Sequence, residues 1–231
     1  MMRQQSDLFD SAAAAADGSL PPGLILHRRY LNDKAQQALA GAIAEAVLRA
    51  PWFIPRMPRT GQAFSVKMTN CGSLGWVSDR DGGYRYQTVH PVTQETWPPI
   101  PLLALKAWRA LASYPHPPEA CLVNLYEGAA HMGLHQDRDE AELAAPVVSI
   151  SLGDSCQFRC GGPRRGDPAT KLELHSGDII VMGGAARLIF HGVDKIFAGS
   201  SCLLTGGGRI NLTLRRVTRP EPDAAQPSRK R

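Results

Sequence analysis

The sequence lacks the two features that would direct a chain into or across a membrane. No run of apolar residues approaches the ~20 that a membrane-spanning helix needs. The stretch SAAAAADG is too short for the apolar region of a secretory signal, and Asp7 and Asp10 stand where basic residues would be needed. We therefore expect a protein that has no membrane partner.

Cysteine is scarce and odd in number, with five residues in a chain of 231. An odd count without a secretory signal argues against a disulfide framework, so we expect reduced thiols and a cytoplasmic location. Cys156 and Cys160 would share one face of a strand, and we assign them to packing rather than to metal binding.

The overall composition is that of an ordinary soluble protein, with 43% hydrophobic and 20% charged residues. A chain of this length without internal repeats is expected to form one domain that buries its own core, and we expect a monomer. The net charge of +5 and the pI near 9.1 permit binding to a polyanion but do not demonstrate it.

Composition divides the chain into a leader, one folded domain and a tail. Residues 1–20 are rich in Ala, Asp and Ser, and we expect a flexible leader there. Residues 21–216 would form the single domain. Residues 217–231 are Pro-rich and polar and predict a disordered basic tail, whose SRKR end would add salt-dependent affinity for nucleic acid.

Two predicted helices precede a region of short strands. Apolar spacing predicts helices over residues 33–50 and 102–114. From residue 120 to residue 216 short apolar strands alternate with turns, in the order CLVNLY, PVVSISL, SCQFRC, KLELH, DIIVM, RLIFH, CLLT and RINLTLRR. This pattern predicts a mostly β fold of the α+β kind, whose core is a cupin-like jelly roll or double-stranded β-helix buttressed by the helices.

A candidate metal site lies in NLYEGAAHMGLHQDRDE. On an extended segment His135 and Asp137 would point to the same face, and His191 in LIFHGV is a candidate third ligand. Two His and one carboxylate form the facial triad that binds iron(II) and leaves coordination positions open. The pattern is weak alone, because chance supplies about 0.4 His-x-Asp pairs in such a chain, and an exposed His and Asp flanking a turn is the alternative.

A second polar face lies in RINLTLRR, where Arg209, Asn211, Thr213 and Arg215 alternate with apolar residues. Two guanidiniums on one buried face would lack partners unless a ligand supplied them. A dicarboxylate would do so, because arginine binds carboxylates through two parallel hydrogen bonds. Asn124 and Tyr126 share a face of the preceding run ACLVNLY and could add neutral hydrogen bonds. Metal, dicarboxylate and open positions together indicate an oxygenase that uses 2-oxoglutarate.

These motifs and their order resemble the AlkB family. The resemblance runs from about Leu8 to Arg216 and rests on NLYEGAAHMGLHQDRDE, PVVSISLG, GDIIVMGG, RLIFHG and RINLTLR, with MTNCGSLGW and GYRY nearer the N-terminus. It implies a dioxygenase that uses iron(II), 2-oxoglutarate and O2 to dealkylate bases of the 1-methyladenine or 3-methylcytosine type, releasing succinate, CO2 and formaldehyde. Single-stranded or duplex DNA is the implied partner, with RNA as a further substrate.

The resemblance also implies roles for individual residues in the two chemical groups. Iron(II) would be bound by the triad of His135, Asp137 and His191. The residues that would bind 2-oxoglutarate are Asn124, Tyr126, Arg209, Asn211 and Arg215.

The resemblance places a nucleotide-recognition lid and helix over residues 52–115 and the jelly-roll core over residues 120–216. Trp76 would stack on the flipped base, opposite the His135 ring, and Asp139 would meet the base edge. The other residues that would contact the nucleic acid are Tyr84, Arg138 and Arg165. The plainer alternatives are a hairpin whose aromatic side chains pack on the core, and a solvated acidic turn at Asp139 and Glu140.

Two departures from the family pattern leave the ligands intact but bear on pocket shape. The loop over residues 127–130 reads Glu-Gly-Ala-Ala rather than a Pro-containing loop, and Met182 stands where a bulky Trp is expected. Two other functions remain open at this point. One is a 2-oxoglutarate oxygenase that acts on RNA, protein or a small molecule, and the other is a nucleic-acid-binding module without catalysis.

Overall fold

The structure, a computed structural model, describes residues 20–221. Residues 1–19 of the predicted leader and residues 222–231 of the predicted tail lie outside this range. Within it, two α-helices are α1 (Asp33–Arg49) and α2 (Leu102–Leu111). Twelve β-strands accompany them: β1 (Leu24–His27), β2 (Lys67–Gly72), β3 (Gly75–Asp79), β4 (Gly83–Gln87), β5 (Ala120–Tyr126), β6 (Met132–His135), β7 (Val147–Gly153), β8 (Ser155–Cys160), β9 (Thr170–Leu174), β10 (Ile179–Met182), β11 (His191–Phe197) and β12 (Arg209–Arg215).

The strands form two facing antiparallel sheets and one hairpin. The larger sheet has the order β1-β10-β7-β12-β5-β2, and the smaller has the order β6-β11-β8-β9. Strands β3 and β4 pair only with each other among the described residues and make the hairpin. The expected jelly roll of a mostly β fold is confirmed, because two antiparallel sheets enclose a single interior.

Alternation along the central strands sends polar and apolar side chains to opposite faces of the larger sheet. On β12, Ile210, Leu212 and Leu214 pack against the helices in one core cluster. The residues between them face the smaller sheet, as the alternating pattern predicted. On β5, Val123 joins the helix side whereas Leu122 packs between the sheets. The interior between the sheets therefore receives an unusual polar lining.

Both predicted helices are present and lie on the outer face of the larger sheet. Helix α1 begins after Asn32, whose side-chain oxygen accepts a hydrogen bond from the Ala35 amide at 3.0 Å. It buries Leu39 and Ile43 against the sheet. No helix among the described residues has the length and apolarity needed to cross a membrane.

Two predicted strands differ from the structure, and the first residue of the predicted tail packs against the domain. CLLT lies in a series of turns before Gly206, and RLIFH is strand only from His191, because a 3₁₀ turn (Gly184–Ala186) and a further turn precede it. Beyond residue 216, Val217 is buried and its amide donates to the Glu119 carboxylate at 2.9 Å.

Candidate active site

The two histidines of the predicted triad are neighbours on adjacent strands of the smaller sheet. His135 ends β6, His191 begins β11, and the two residues are paired in register. Their ring centroids are 4.5 Å apart. Residues directly opposite in an antiparallel pair project to the same side, so the register itself brings the imidazoles together.

Each imidazole is oriented by its own backbone. The Nδ1 of His135 donates to the Gly133 carbonyl at 2.9 Å, and the Nδ1 of His191 donates to the Ile189 carbonyl at 3.2 Å. This fixes the tautomer and leaves both Nε2 atoms free as ligands. Burial lowers the pKa of His191 to about 4, with the neighbouring His135 as a further cause, so its ring is neutral at physiological pH.

Asp137 completes the triad two residues beyond β6. One ligand atom from each of the three residues lies within 4.8 Å of the others, and Asp137 Oδ2 stands 3.9 Å from His191 Nε2. Oδ2 is buried without a hydrogen-bond partner, whereas Oδ1 accepts from Arg215 Nη2 at 2.8 Å. Burial opposes ionisation, but Arg215 and then the imidazoles hold the pKa of Asp137 below its usual value. Two imidazole nitrogens and one carboxylate oxygen thus converge, which fits iron(II).

The larger sheet provides a second binding surface opposite the triad. Arg209 on β12 is 1% exposed, and only its Nη2 is satisfied, by donating to Ser151 Oγ at 2.8 Å. Its Nε and Nη1 are buried without partners. Unsatisfied buried donors on a guanidinium are costly, and a ligand carboxylate beside Arg209 would supply an acceptor.

The register of β5 against β12 places the neutral partners beside this arginine. Tyr126 is directly opposite Arg209, and Asn124 is directly opposite Asn211. The Oδ1 of Asn124 is buried without a hydrogen bond, and burial raises the pKa of Tyr126, so its phenol stays neutral. Asn211 Nδ2 donates a hydrogen bond to Ser149 Oγ at 2.8 Å. These groups fit the carboxylate ligand that the sequence predicted.

A different set of residues forms the entrance. Trp76 on β3 stacks on Tyr84 of β4 with centroids 5.6 Å apart and planes 21° apart, and its Nε1 donates to Asp139 Oδ2 at 2.9 Å. Asn70 of β2 grips the backbone of Trp76 twice, with Nδ2 donating to its carbonyl and Oδ1 accepting from its amide, both at 3.0 Å. Arg165 lies over the Phe190 ring, 4.9 Å from its centroid.

One cavity of about 710 Å³ joins all of these parts. We call the triad with the polar residues of β5 and β12 the inner site. We call Trp76, Tyr84, Arg138, Asp139 and Arg165 the mouth. Every residue that the sequence predicted to bind the metal, 2-oxoglutarate or the substrate lines this cavity, and so does Met182. The sequence motifs, separated by up to 139 positions (Trp76 to Arg215), therefore meet in a single site.

Sequence reasoning missed the charge network behind the triad. Glu140 is 6% exposed and pairs with Arg187 at 3.0 Å and with Arg215 at 3.4 Å, so the solvated-turn alternative is wrong for this residue. Tyr86 also donates its hydroxyl to Glu140. The signal available was the buried context of RLIFH, in which Arg187 requires a counter-ion.

The family profile of the 2OG-Fe(II) oxygenase superfamily matches residues 23–215. The chain therefore belongs to this superfamily of iron(II)- and 2-oxoglutarate-dependent oxygenases. Within it, the chain is 51% identical to an alpha-ketoglutarate-dependent dioxygenase AlkB homolog of Caulobacter vibrioides, over 85% of this chain and 88% of that protein. It is 40% identical to the alpha-ketoglutarate-dependent dioxygenase AlkB of Escherichia coli strain K12, over 93% and 99%. The protein is a member of the AlkB family.

A solved structure described as "The structure of OsALKBH1" superposes with a TM-score of 0.70 at 31% identity, covering 85% of this chain and 99% of that one. More distant relatives are named for their substrates: a DNA N(6)-methyladenine demethylase of Arabidopsis thaliana and a tRNA demethylase of Schizosaccharomyces pombe. The resemblance seen in the sequence motifs is thus confirmed, and the enzyme is an iron(II)- and 2-oxoglutarate-dependent dioxygenase. The alternative of a binding module without catalysis is wrong.

Proposed function

We propose that this enzyme removes N-alkyl groups from bases of the 1-methyladenine or 3-methylcytosine type in DNA, with RNA as a second substrate. The observation that carries the proposal is the placement of Trp76 and Asp139 at the mouth of the cavity whose inner end holds the triad. Iron(II), 2-oxoglutarate and O2, when bound, supply the oxidising chemistry that hydroxylates the alkyl carbon. Relatives named for DNA and for tRNA support a nucleic acid substrate.

The inner site would orient the two bound groups. His135 Nε2, His191 Nε2 and Asp137 Oδ2 would hold the metal from one side, because these are the ligand atoms not used by the protein. Arg209 would bind the distal carboxylate of 2-oxoglutarate through its guanidinium, assisted by Asn124 and Tyr126. Asn211 and Arg215 would complete the wall, with Arg215 already engaged by Asp137.

The mouth would hold the base. Tyr84 covers one face of the Trp76 ring, so a flipped base would stack on the other face. Asp139 would favour the positive charge that N1- or N3-methylation places on the ring, while keeping its hydrogen bond to the indole. Arg138 is exposed and Arg165 lies at the rim, where each would meet the phosphate backbone.

We also propose an oligomeric state and a cellular location for the enzyme. The triad and the residues proposed to bind 2-oxoglutarate line one cavity within a single chain, so the proposed site needs no second copy, and we propose a monomer. The five cysteines are all free thiols, which supports the reducing conditions of the cytoplasm and the upkeep of iron(II) there.

The test uses the enzyme with iron(II), 2-oxoglutarate and ascorbate on oligonucleotides that carry 1-methyladenine or 3-methylcytosine, in DNA and in RNA. Loss of the mass of one methylene per lesion is expected, with equimolar succinate. The controls are the unmodified oligonucleotides and the Asp137→Ala variant, neither of which should change mass. Succinate formation that no modified oligonucleotide stimulates, but that a peptide or small molecule does, would overturn the proposal.

A further inference from the structure

Three side chains behind Asp137, namely Arg187, Glu140 and Tyr86, connect the metal site to the β3–β4 hairpin. None of the three is among the residues proposed to bind iron or 2-oxoglutarate. The side chains of Arg187 and Glu140 are 4% and 2% exposed, and Tyr86 is half-buried with its hydroxyl turned toward Glu140. Buried polar groups of this kind are expensive unless each atom has a partner, so their partners identify what they do.

Arg187 holds the main chain of Asp137. Its Nη1 donates to the Asp137 carbonyl at 2.5 Å, its Nε donates to the Ala145 carbonyl at 2.9 Å, and its Nη2 donates to Glu140 Oε2 at 3.0 Å. Every nitrogen of the guanidinium is engaged. The guanidinium of Arg187 therefore holds the backbone of the segment over residues 137–140, which we call the metal-binding segment.

Arg215 holds the side chain of the same residue. Its Nη2 donates to Asp137 Oδ1 at 2.8 Å, and its Nε lies 3.4 Å from Glu140 Oε1. Glu140 is thus the shared counter-ion of the two arginines that grip Asp137 from the backbone and from the carboxylate. Because Oδ1 is occupied, Oδ2 remains as the ligand atom.

Tyr86 completes this network from the hairpin. Its hydroxyl donates to Glu140 Oε1, the same oxygen that faces Arg215. It stands in register with Trp76 across the hairpin, and Trp76 donates to Asp139. Two opposite residues of the hairpin therefore bind two consecutive carboxylates of the metal-binding segment.

We infer that Tyr86 and Glu140 are positioning residues for the metal centre. Glu140 orients Arg215 and Arg187, which present Asp137 Oδ2 to the metal, and the Tyr86 hydroxyl fixes the Glu140 carboxylate. Outer hydrogen-bond partners of this kind orient the ligand that touches the metal. The inference concerns metal binding, and it does not require that the substrate be a nucleic acid.

The test is the affinity of the metal-free protein for Mn(II), measured by calorimetry without nucleic acid. Tyr86→Phe keeps the ring and removes only the hydroxyl, and its dissociation constant for Mn(II) should rise about 10-fold, the lower end of what loss of an outer partner costs. The matched control is Tyr114→Phe, which also removes a phenol hydroxyl from a carboxylate, that of Glu142, but lies outside the cavity. The control should bind Mn(II) as the unchanged protein does.

A second readout separates positioning from general destabilisation. The visible absorption of bound Co(II) reports coordination geometry, and it should change in Tyr86→Phe and in Glu140→Gln but not in Tyr114→Phe. Unchanged Mn(II) affinity and an unchanged Co(II) spectrum in Tyr86→Phe would overturn the inference. Equal weakening in Tyr86→Phe and Tyr114→Phe would also overturn it, because the effect would then be global. Failure of the enzyme to act on modified DNA would contradict the proposed function and leave these results unaffected.

Discussion

The inner site and the mouth of the cavity are built in opposite ways. Arg209, Asn124 and Tyr126 in the inner site are 1%, 5% and 3% exposed, and they project from paired strands in the middle of the larger sheet. In the mouth, Tyr84 is 51% exposed and Arg138 is also exposed. These residues of β5 and β12 have paired strands on both sides, whereas the residues of the mouth belong to a separate hairpin and to loops.

The difference indicates which residues of the cavity are held rigidly and which are not. Strand β12 is hydrogen-bonded to β5 and to β7, so any change in its course would disturb two ladders. The groups that would hold the small acid within narrow limits, Arg209 and Asn211, are placed there. Groups that must admit a large substrate are placed where few neighbours restrain them. Variants that break the inner site should therefore stop the chemistry, and variants of the mouth should change which substrates are accepted.

The largest decrease in turnover is expected when one residue of the triad is replaced. Replacing His135, Asp137 or His191 by Ala should reduce turnover below detection, because each removes one of three metal ligands and the facial geometry with it. Succinate release in the presence of modified DNA is the measurement. His116→Ala, outside the cavity, serves as the control for simple loss of a histidine. Near-normal turnover in any triad variant would show that the metal is bound elsewhere.

The next effect concerns the co-substrate. Arg209→Ala should weaken 2-oxoglutarate binding by roughly 30- to 1,000-fold, because a charge-assisted bidentate pair in a buried site contributes about 2–4 kcal/mol. The measurement is the dependence of the rate on 2-oxoglutarate concentration. Arg159→Ala removes a guanidinium from the smaller sheet, away from the cavity, and should leave this dependence unchanged. A change in oligonucleotide affinity alone would place Arg209 on the nucleic acid surface instead.

Acid should destabilise the metal-free protein through the inner site. The pKa of His191 is about 4 in the fold and 6.5 in its absence, so the unfolded chain binds the proton more readily, and stability falls as the pH drops below about 6.5. Between about pH 7 and about pH 5 this group should cost roughly 2 kcal/mol of unfolding free energy. Urea titrations at the two pH values measure it, and His191→Gln should show a smaller loss. An equal pH dependence in both proteins would contradict the assignment.

The smallest effects should appear at the mouth. Trp76→Ala should raise the Michaelis constant for every lesion, since stacking contributes roughly 1–3 kcal/mol per base whatever its charge. Asp139→Asn should raise it several-fold (about 1 kcal/mol) for cationic 1-methyladenine but not for neutral ethenoadenine, because Asn keeps an acceptor for the Trp76 indole and loses only the charge. Parallel rates on both lesions at fixed salt decide this. No loss on either lesion would make the carboxylate a support for the indole alone, and equal losses on both would contradict a role for its charge.

The sequence predicted the inner site better than its surroundings, for reasons that particular residues show. Arg209, Asn211 and Arg215 alternate with apolar residues, and successive residues of a β-strand point to opposite faces of the sheet. The sequence therefore predicts that these polar side chains share one face. The strand predicted for CLLT failed, because a short apolar run before three glycines can equally be a turn. The contact of Tyr86 with Glu140 spans 54 positions and depends on how the hairpin packs. No local pattern encodes such a contact.

The paired hydrogen bonds between Asn70 and the Trp76 backbone have a consequence for how this enzyme can diversify. They attach the hairpin to the edge strand β2 through one side chain rather than through a ladder. The hairpin and the larger sheet therefore share no strand pairing among the described residues, so the register of the sheet does not depend on that of the hairpin. A different hairpin at this place would have to keep the contact with Asn70 and supply a hydroxyl to Glu140.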